Sequence, residues 1–229
     1  DTEYVFETLK SEGLLDDKHI GFFSYAFLDT SFNTLLVGRD PIGKKPLFMY
    51  EDQNWIILAS DENFIKKIVP LKIDVSSLLQ YAELKDFYFG ATSFVGLRAL
   101  PPGTQLCINL SEVKLGIDFE NLWMNYYTSA FDKIQESESG RSKFNLEDLD
   151  YLDELLSNAI DFRFRGLDQV CIAISGGVDS NLLARKMLDC IKEASCIDFI
   201  FLNVLSSQFS ELANLNNEII NHGNFHVIE

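Results

Sequence analysis

Residues 170–180 read Val-Cys-Ile-Ala-Ile-Ser-Gly-Gly-Val-Asp-Ser, and these types at this spacing suit phosphate binding. Val170 to Ile174 is a short apolar, β-branched run, the pattern of a buried strand. It enters Ser175-Gly176-Gly177, and an apolar-periodic segment from Leu182 to Leu188 follows. Strand, small-residue loop and helix together make an anion cradle. Glycines let the backbone approach the ligand, successive N–H groups face it, and the helix N-terminus adds a favourable dipole. The hydroxyls of Ser175 and Ser180 are expected to face the anion as well. Asp179, at the loop's end, can hold a divalent cation that accompanies phosphates.

No Gly-Lys-Ser/Thr follows the glycines, so this is not a Walker A loop. It matches Ser-Gly-Gly-x-Asp-Ser, the pyrophosphate loop of enzymes that split ATP into AMP and pyrophosphate. The plainer alternative is a tightly packed strand–turn–helix corner; the number of matching positions in the right frame favours nucleotide binding.

The elements that must hold this loop follow from periodicity. Leu146, Leu149, Leu152, Leu155, Leu156, Ala159 and Ile160 form a helical stripe leading into the Val170 strand. Beyond the loop helix, Ile197 to Leu205 reads as a second buried strand and Glu211 to Ile220 as a helix. That alternation predicts a parallel doubly wound sheet. The first part differs. A short helix is expected over 2–12. Strands are expected at Phe22–Phe27, Thr34–Val37, Leu47–Tyr50 and Trp55–Ala59, with turn residues between them, as in an antiparallel meander. Ser60-Asp61-Glu62 caps a short helix from Phe64 to Val69. Val75 to Glu83 reads as helix. Leu100-Pro101-Pro102-Gly103-Thr104 is a rigid turn before a strand at Gln105–Asn109. From Asp132 to Asn145 apolar residues almost vanish, which predicts a linker or mobile loop.

Bulk properties narrow the partners. With 229 residues and 47% hydrophobic content, one or two globular domains are expected. The formal net charge of −16 argues against nucleic acid or an anionic membrane as a main partner. A phosphate ligand must then be held by a local site and a metal. Cys107, Cys171, Cys190 and Cys196 show no CxxC spacing, and three of them are expected to be buried small hydrophobes in a reducing compartment. His19, His222 and His226 form no metal-spaced cluster with them. No run of about 18 apolar residues is present, so no membrane span is indicated. The chain starts without Met and without a signal-peptide pattern, and a fragment or processed piece is the expectation.

A second stretch is Gly38-Arg39-Asp40-Pro41-Ile42-Gly43-Lys44-Lys45-Pro46-Leu47-Phe48. Physically it is a turn pinned by two prolines and a glycine, with a cationic edge. Gly21-Phe22-Phe23-Ser24-Tyr25-Ala26-Phe27 precedes it, and Ala59-Ser60-Asp61-Glu62 and Leu100-Pro101-Pro102-Gly103 follow. In this order, and with the pyrophosphate loop, the chain resembles the glutamine-dependent asparagine synthetase family over nearly its whole length. The resemblance implies an α+β, N-terminal-nucleophile-type glutaminase sheet followed by an α/β pyrophosphate-loop domain. The boundaries are then 1–128 for the glutaminase part, 129–145 for a polar linker and 146–229 for the start of the ATP-binding domain.

The resemblance also implies the activity: aspartate, glutamine and ATP give asparagine, glutamate, AMP and pyrophosphate through an acyl-adenylate, with ammonia passing through an internal tunnel. Adenylation gives the carboxylate a good leaving group, and a thiol at a free N-terminus can use its own amine as base. By resemblance, Ser175, Gly176, Gly177, Asp179 and Ser180 bind ATP, Asp179 also ligates Mg²⁺, the Ala173 backbone meets the nucleotide, and the strand end near Leu202 contacts adenine. Asp1 corresponds to an aspartate that grips the glutamine α-amino group. A cytoplasmic enzyme is implied, and a homodimer rests on the resemblance alone.

The departures are specific. The family's N-terminal cysteine nucleophile is absent, as are its Arg-Gly-Pro and Asn-Gly-Glu segments, so this polypeptide alone is expected not to hydrolyse glutamine. No catalytic residue is assigned. Asn181 stands where a second serine is usual. Three alternatives stay open: a ligase or cyclase acting on another carboxylate, a non-catalytic scaffold of the same build, and, for residues 170–229 alone, an adenylating enzyme of the NAD or GMP synthetase kind.

Overall fold

The computed structural model describes residues 2–15, 19, 21–111, 116–139, 145–190, 197–202, 217–221 and 224–228. The chain divides into two compact units, Asp1–Gly140 and Arg141–Glu229.

The first unit begins with helix α1 (Thr2–Glu12) and contains two antiparallel three-stranded sheets. One has the order β1-β2-β6, from β1 (Ser24–Asp29), β2 (Thr34–Arg39) and β6 (Gln105–Asn109). The other has the order β4-β3-β5, from β3 (Phe48–Glu51), β4 (Ile56–Ala59) and β5 (Leu97–Ala99). Aspartates make both tight reversals. Asp29 Oδ1 accepts from the N–H groups of Ser31 and Phe32, and Asp52 Oδ1 from those of Asn54 and Trp55. Val37, Leu47, Met49, Leu100 and Ile108 form the buried core.

Caps set the helix starts. Asp61 accepts from the Asn63 N–H at the start of α2 (Glu62–Ile68). Asp74 accepts from the Ser77 N–H at the start of α3 (Val75–Leu84). Hydrogen bonds from Ser76 and Ser77 hold its carboxyl down at about 2. Helix α4 (Phe119–Ser139) runs on through much of the polar stretch expected to be linker. That stretch is rich in Glu, Gln, Lys and Ser and has no Gly or Pro before Gly140, so nothing in it breaks a helix.

The second unit starts with α5 (Leu146–Phe164), closed by a reciprocal box in which Asn145 and Asp148 each accept from the other's N–H. Strands β7 (Val170–Ile174), β8 (Ile197–Leu202) and β9 (Phe225–Ile228) pair in that order, all parallel. Helix α6 (Val178–Cys190) follows β7, and α7 (Asn217–Ile220) precedes β9. Ile160, Val170, Ile174, Ala184, Met187, Ile197, Phe199, Phe201 and Ile219 make the core. The expected extensions of β8 to Leu205 and of the last helix back to Glu211 lie outside the described residues.

Two expectations about burial need correction. Strand β7 is buried on one face only: Val170 and Ile174 are buried while Cys171 and Ala173 are exposed. Successive side chains of a strand point to opposite faces, and the core lies against the face that carries Val170 and Ile174. Nor are three cysteines buried. Cys107 and Cys171 are exposed and Cys190 is half-buried, because Cys107 and Cys171 fall on the outward phase of their strands. Cys196 lies outside the described residues.

Candidate functional site

The sequence-derived loop sits at the carboxyl end of β7, where ligands gather in parallel sheets. Ser175 and Gly177 are exposed, Gly176 is half-buried, and Asp179 is exposed in the first turn of α6. The first-turn N–H groups of a helix have no intrahelical acceptor, so this end of α6 presents donors. Ala173 pairs with Ile200 of β8, and Leu202 closes the same edge of the sheet one strand over. Ala173, the loop and the Leu202 backbone are therefore brought to one sheet edge. Asp1 lies outside the described residues.

The hydroxyls do not both face outward. Ser180 Oγ accepts from the Ser175 N–H at 3.1 Å and lies 2.9 Å from the Ser175 carbonyl and 3.2 Å from that of Gly177. It closes the loop on itself. Ser175 Oγ stands 3.0 Å from Ser180 Oγ and accepts from the Gly177 N–H at 3.3 Å. A Cβ at Gly177 would lie 3.3 Å from Ser175 Oγ, so a side chain there would press on the hydroxyl that accepts from the Gly177 N–H. Asn181, which the sequence marked only as a departure, donates from Nδ2 to the Gly177 carbonyl at 2.9 Å. The signal was legible: an amide one residue past the motif is within reach of the loop's carbonyls.

Behind the loop, Lys186 bridges α6 to α5 through Asp153 at 2.6 Å. The hydrogen bond to that carboxylate raises the Lys186 pKa. Among the described residues no group of three or more His, Cys, Asp or Glu side chains is gathered for a metal. A cation at Asp179 is still chemically reasonable. Mg²⁺ commonly takes one or two carboxylates and fills its shell with phosphate oxygens and water.

In the first unit, the Arg39–Phe48 and Leu100–Gly103 stretches prove to be one corner. Asp40 is fully buried, and its carboxylate accepts from the N–H groups of Ile42 (3.2 Å), Lys44 (2.9 Å) and Lys45 (3.0 Å). Burial pushes this carboxyl up, but those N–H groups and the Arg39 charge outweigh it and hold it below the usual range. Arg39 is not part of a cationic surface edge, as its sequence context suggested. It donates to the carbonyls of Lys45 (2.8 Å), Leu100 (2.5 Å) and Gly43 (2.6 Å). Gly43 has φ +67°, and a Cβ there would meet Pro102 at 2.8 Å. The Gly103 N–H completes the corner by donating to the Asp40 carbonyl. These residues join the two sheets; their role is architectural.

Among the described residues no helix is long and apolar enough to cross a membrane.

Residues 1–120 match the glutamine amidotransferase domain. The chain is 29% identical over 189 residues to a putative glutamine-hydrolysing asparagine synthetase of Methanocaldococcus jannaschii, covering 81% of this chain and 30% of that protein. It is 26% identical over 175 residues to the mouse glutamine-hydrolysing asparagine synthetase, covering 76% and 28%. A protein named Amidase chry2, from Gibberella zeae, is 24% identical over 197 residues, covering 85% and 27%. The chain thus spans less than a third of the length of each of these relatives. With its first 120 residues matched, the chain belongs to the glutamine amidotransferase domain family.

Proposed function

We propose that the whole protein is an ATP-dependent amide ligase that uses glutamine nitrogen to convert aspartate to asparagine, releasing glutamate, AMP and pyrophosphate. The observation that carries this reading is the pairing, on one chain, of a glutamine amidotransferase domain with a Ser-Gly-Gly-x-Asp-Ser loop at the carboxyl edge of a parallel sheet. The first would release ammonia from glutamine. The second would hold the nucleotide whose AMP portion becomes the leaving group.

The residues present fit such a ligand. The exposed Ser175 hydroxyl and the unpaired first-turn N–H groups of α6 would take phosphate oxygens, and the exposed Asp179 carboxylate would take Mg²⁺. Mg²⁺ would supply charge neutralisation at the phosphates. Ala173 and the Leu202 backbone, on the same edge, would border the nucleoside. Ser180 keeps the loop closed. For glutamine, the Asp1 carboxylate would grip the α-amino group. None of the four cysteines of this chain carries a free α-amine, so none of them is the thiol of the N-terminal-nucleophile mechanism.

The test uses the full-length protein with Mg-ATP and ammonia, which bypasses the glutaminase step. Pyrophosphate release that requires aspartate and yields asparagine supports the reading. Asp179→Ala should abolish most of that release without altering the melting temperature. The similarity to a protein named an amidase favours one second reading, amide chemistry on a different carboxylate. ATP binding without aspartate-dependent pyrophosphate release would select it, and no ATP binding at all would select a non-catalytic scaffold.

A further inference from the structure

We propose that Asn181 is the positioning residue of the 175–180 loop, the side chain that aims the loop's N–H groups at the phosphates of a nucleotide; this rests on the nucleotide-binding reading above. Ser180 Oγ lies within reach of three acceptors: the Ser175 carbonyl at 2.9 Å, Ser175 Oγ at 3.0 Å and the Gly177 carbonyl at 3.2 Å. A hydroxyl has one proton, so it serves one of them at a time. The shortest contact, to the Ser175 carbonyl, takes that proton. The Gly177 carbonyl then depends on the Asn181 amide at 2.9 Å and on the Asn181 backbone N–H at 3.2 Å. The second amide hydrogen of Asn181 is directed toward the Ser175 carbonyl at 3.5 Å.

Holding those two carbonyls fixes the N–H groups behind them. No peptide here is cis. In a trans peptide the carbonyl of one residue and the N–H of the next point in opposite directions. Drawing the Ser175 and Gly177 carbonyls in toward Ser180 and Asn181 therefore turns the Gly176 and Val178 N–H groups out. Val178 is exposed and Gly176 half-buried, so the outward direction is open at Val178 and partly open at Gly176. A serine or alanine at 181 could not span to both carbonyls, and an aspartate would repel them and add negative charge beside the anion.

The role is testable by affinity for Mg-pyrophosphate, which reads the loop alone, beside affinity for adenosine, which does not touch it. In the full-length protein, Asn181→Ala should weaken Mg-pyrophosphate binding about tenfold, the equivalent of one well-placed hydrogen bond to a charged ligand. Asn181→Asp should weaken it further. Adenosine affinity should hold constant in both. Amide hydrogen exchange over 176–178 should quicken in the ligand-free Asn181→Ala variant. Equal pyrophosphate affinity in wild type and Asn181→Ala overturns the positioning role alone, as does a parallel loss of adenosine affinity, which would mean general loosening of the unit. A wild-type protein that binds neither Mg-pyrophosphate nor Mg-ATP overturns the nucleotide reading, and the positioning role with it.

Discussion

Arg39 Nη1 donates to the carbonyl of Leu100, 61 residues further along the chain, at 2.5 Å. That bond, with those to Gly43 and Lys45, lets one side chain tie β2 to the turn that follows β5. Arg39→Lys keeps the charge but replaces a planar fork by a single flexible donor head. Hydrogen bonds from charged donors are each worth about 1.5–3 kcal/mol net, so losing the fork should cost about 3 kcal/mol after partial rescue by the lysine. Urea unfolding followed by circular dichroism reads this directly; an unchanged midpoint would show that the corner is redundant.

Asp40 carries a pH signature. Its carboxyl is held below the usual range in the folded protein, so its contribution is complete above the unfolded carboxylate value of about 3.9 and fades as pH falls through the folded value. Asp40→Asn offers one acceptor where three N–H groups converge, and should cost about 3 kcal/mol at pH 7. The gap between wild type and variant should narrow steadily below about pH 4. Stability curves at several pH values test the slope; a gap independent of pH would remove the charge from the explanation.

Gly90 has φ +66°, and a Cβ there would fall 2.2 Å from Trp123 Nε1 and 2.3 Å from the Ala99 carbonyl, the two atoms that share a hydrogen bond at 3.0 Å. Gly90→Ala should therefore eject the indole and cost about 3 kcal/mol, combining overpacking with backbone strain. Trp123 emission, measured in a Trp55→Phe background, should shift red. Gly13 also has positive φ, at +75°, but among the described residues beyond its chain neighbours no atom lies within 4 Å of its Cβ position. Gly13→Ala should cost only about 1 kcal/mol.

At the entry to α5, Asn145 accepts from the Asp148 N–H at 3.0 Å while Asp148 accepts from that of Asn145 at 2.8 Å. Asn145→Ala should destabilise the second unit by about 1 kcal/mol. Exchange rates of the first-turn amides of α5 should rise while those of α6 hold steady.

Short-range chemistry was the most legible part of this molecule. The turns at Asp29, Asp52 and Asp61 could be placed because an aspartate captures N–H groups two or three residues ahead wherever it stands. The strand–loop–helix around Ser175 was legible from an apolar run that breaks at two glycines and resumes with helical periodicity. Arg39 was not. Its partners lie on a turn that only tertiary pairing brings near, and a basic side chain beside two lysines reads from sequence as solvent-facing. Cys171 and Ala173 misled in the other direction: an apolar run reports what a strand can bury, while the layer available to cover it depends on its neighbours. The Ser180 hydroxyl shows a further limit. Its residue type fits a ligand contact, but its hydroxyl is engaged by the loop's own carbonyls.

The strand pairing of the first unit has a consequence for synthesis on the ribosome. Strand β2 has β1 as a local hairpin partner, but its other edge waits for β6, and Thr34 pairs with Asn109 only after the whole second sheet has been made. The β4-β3-β5 sheet is thus nested between two strands of the other. Until residue 109 emerges, β2 exposes an unpaired edge on a chain whose local contacts are already formed. The nascent hairpin is then most vulnerable to mispairing, and closure by β6 is the long-range step that completes the unit.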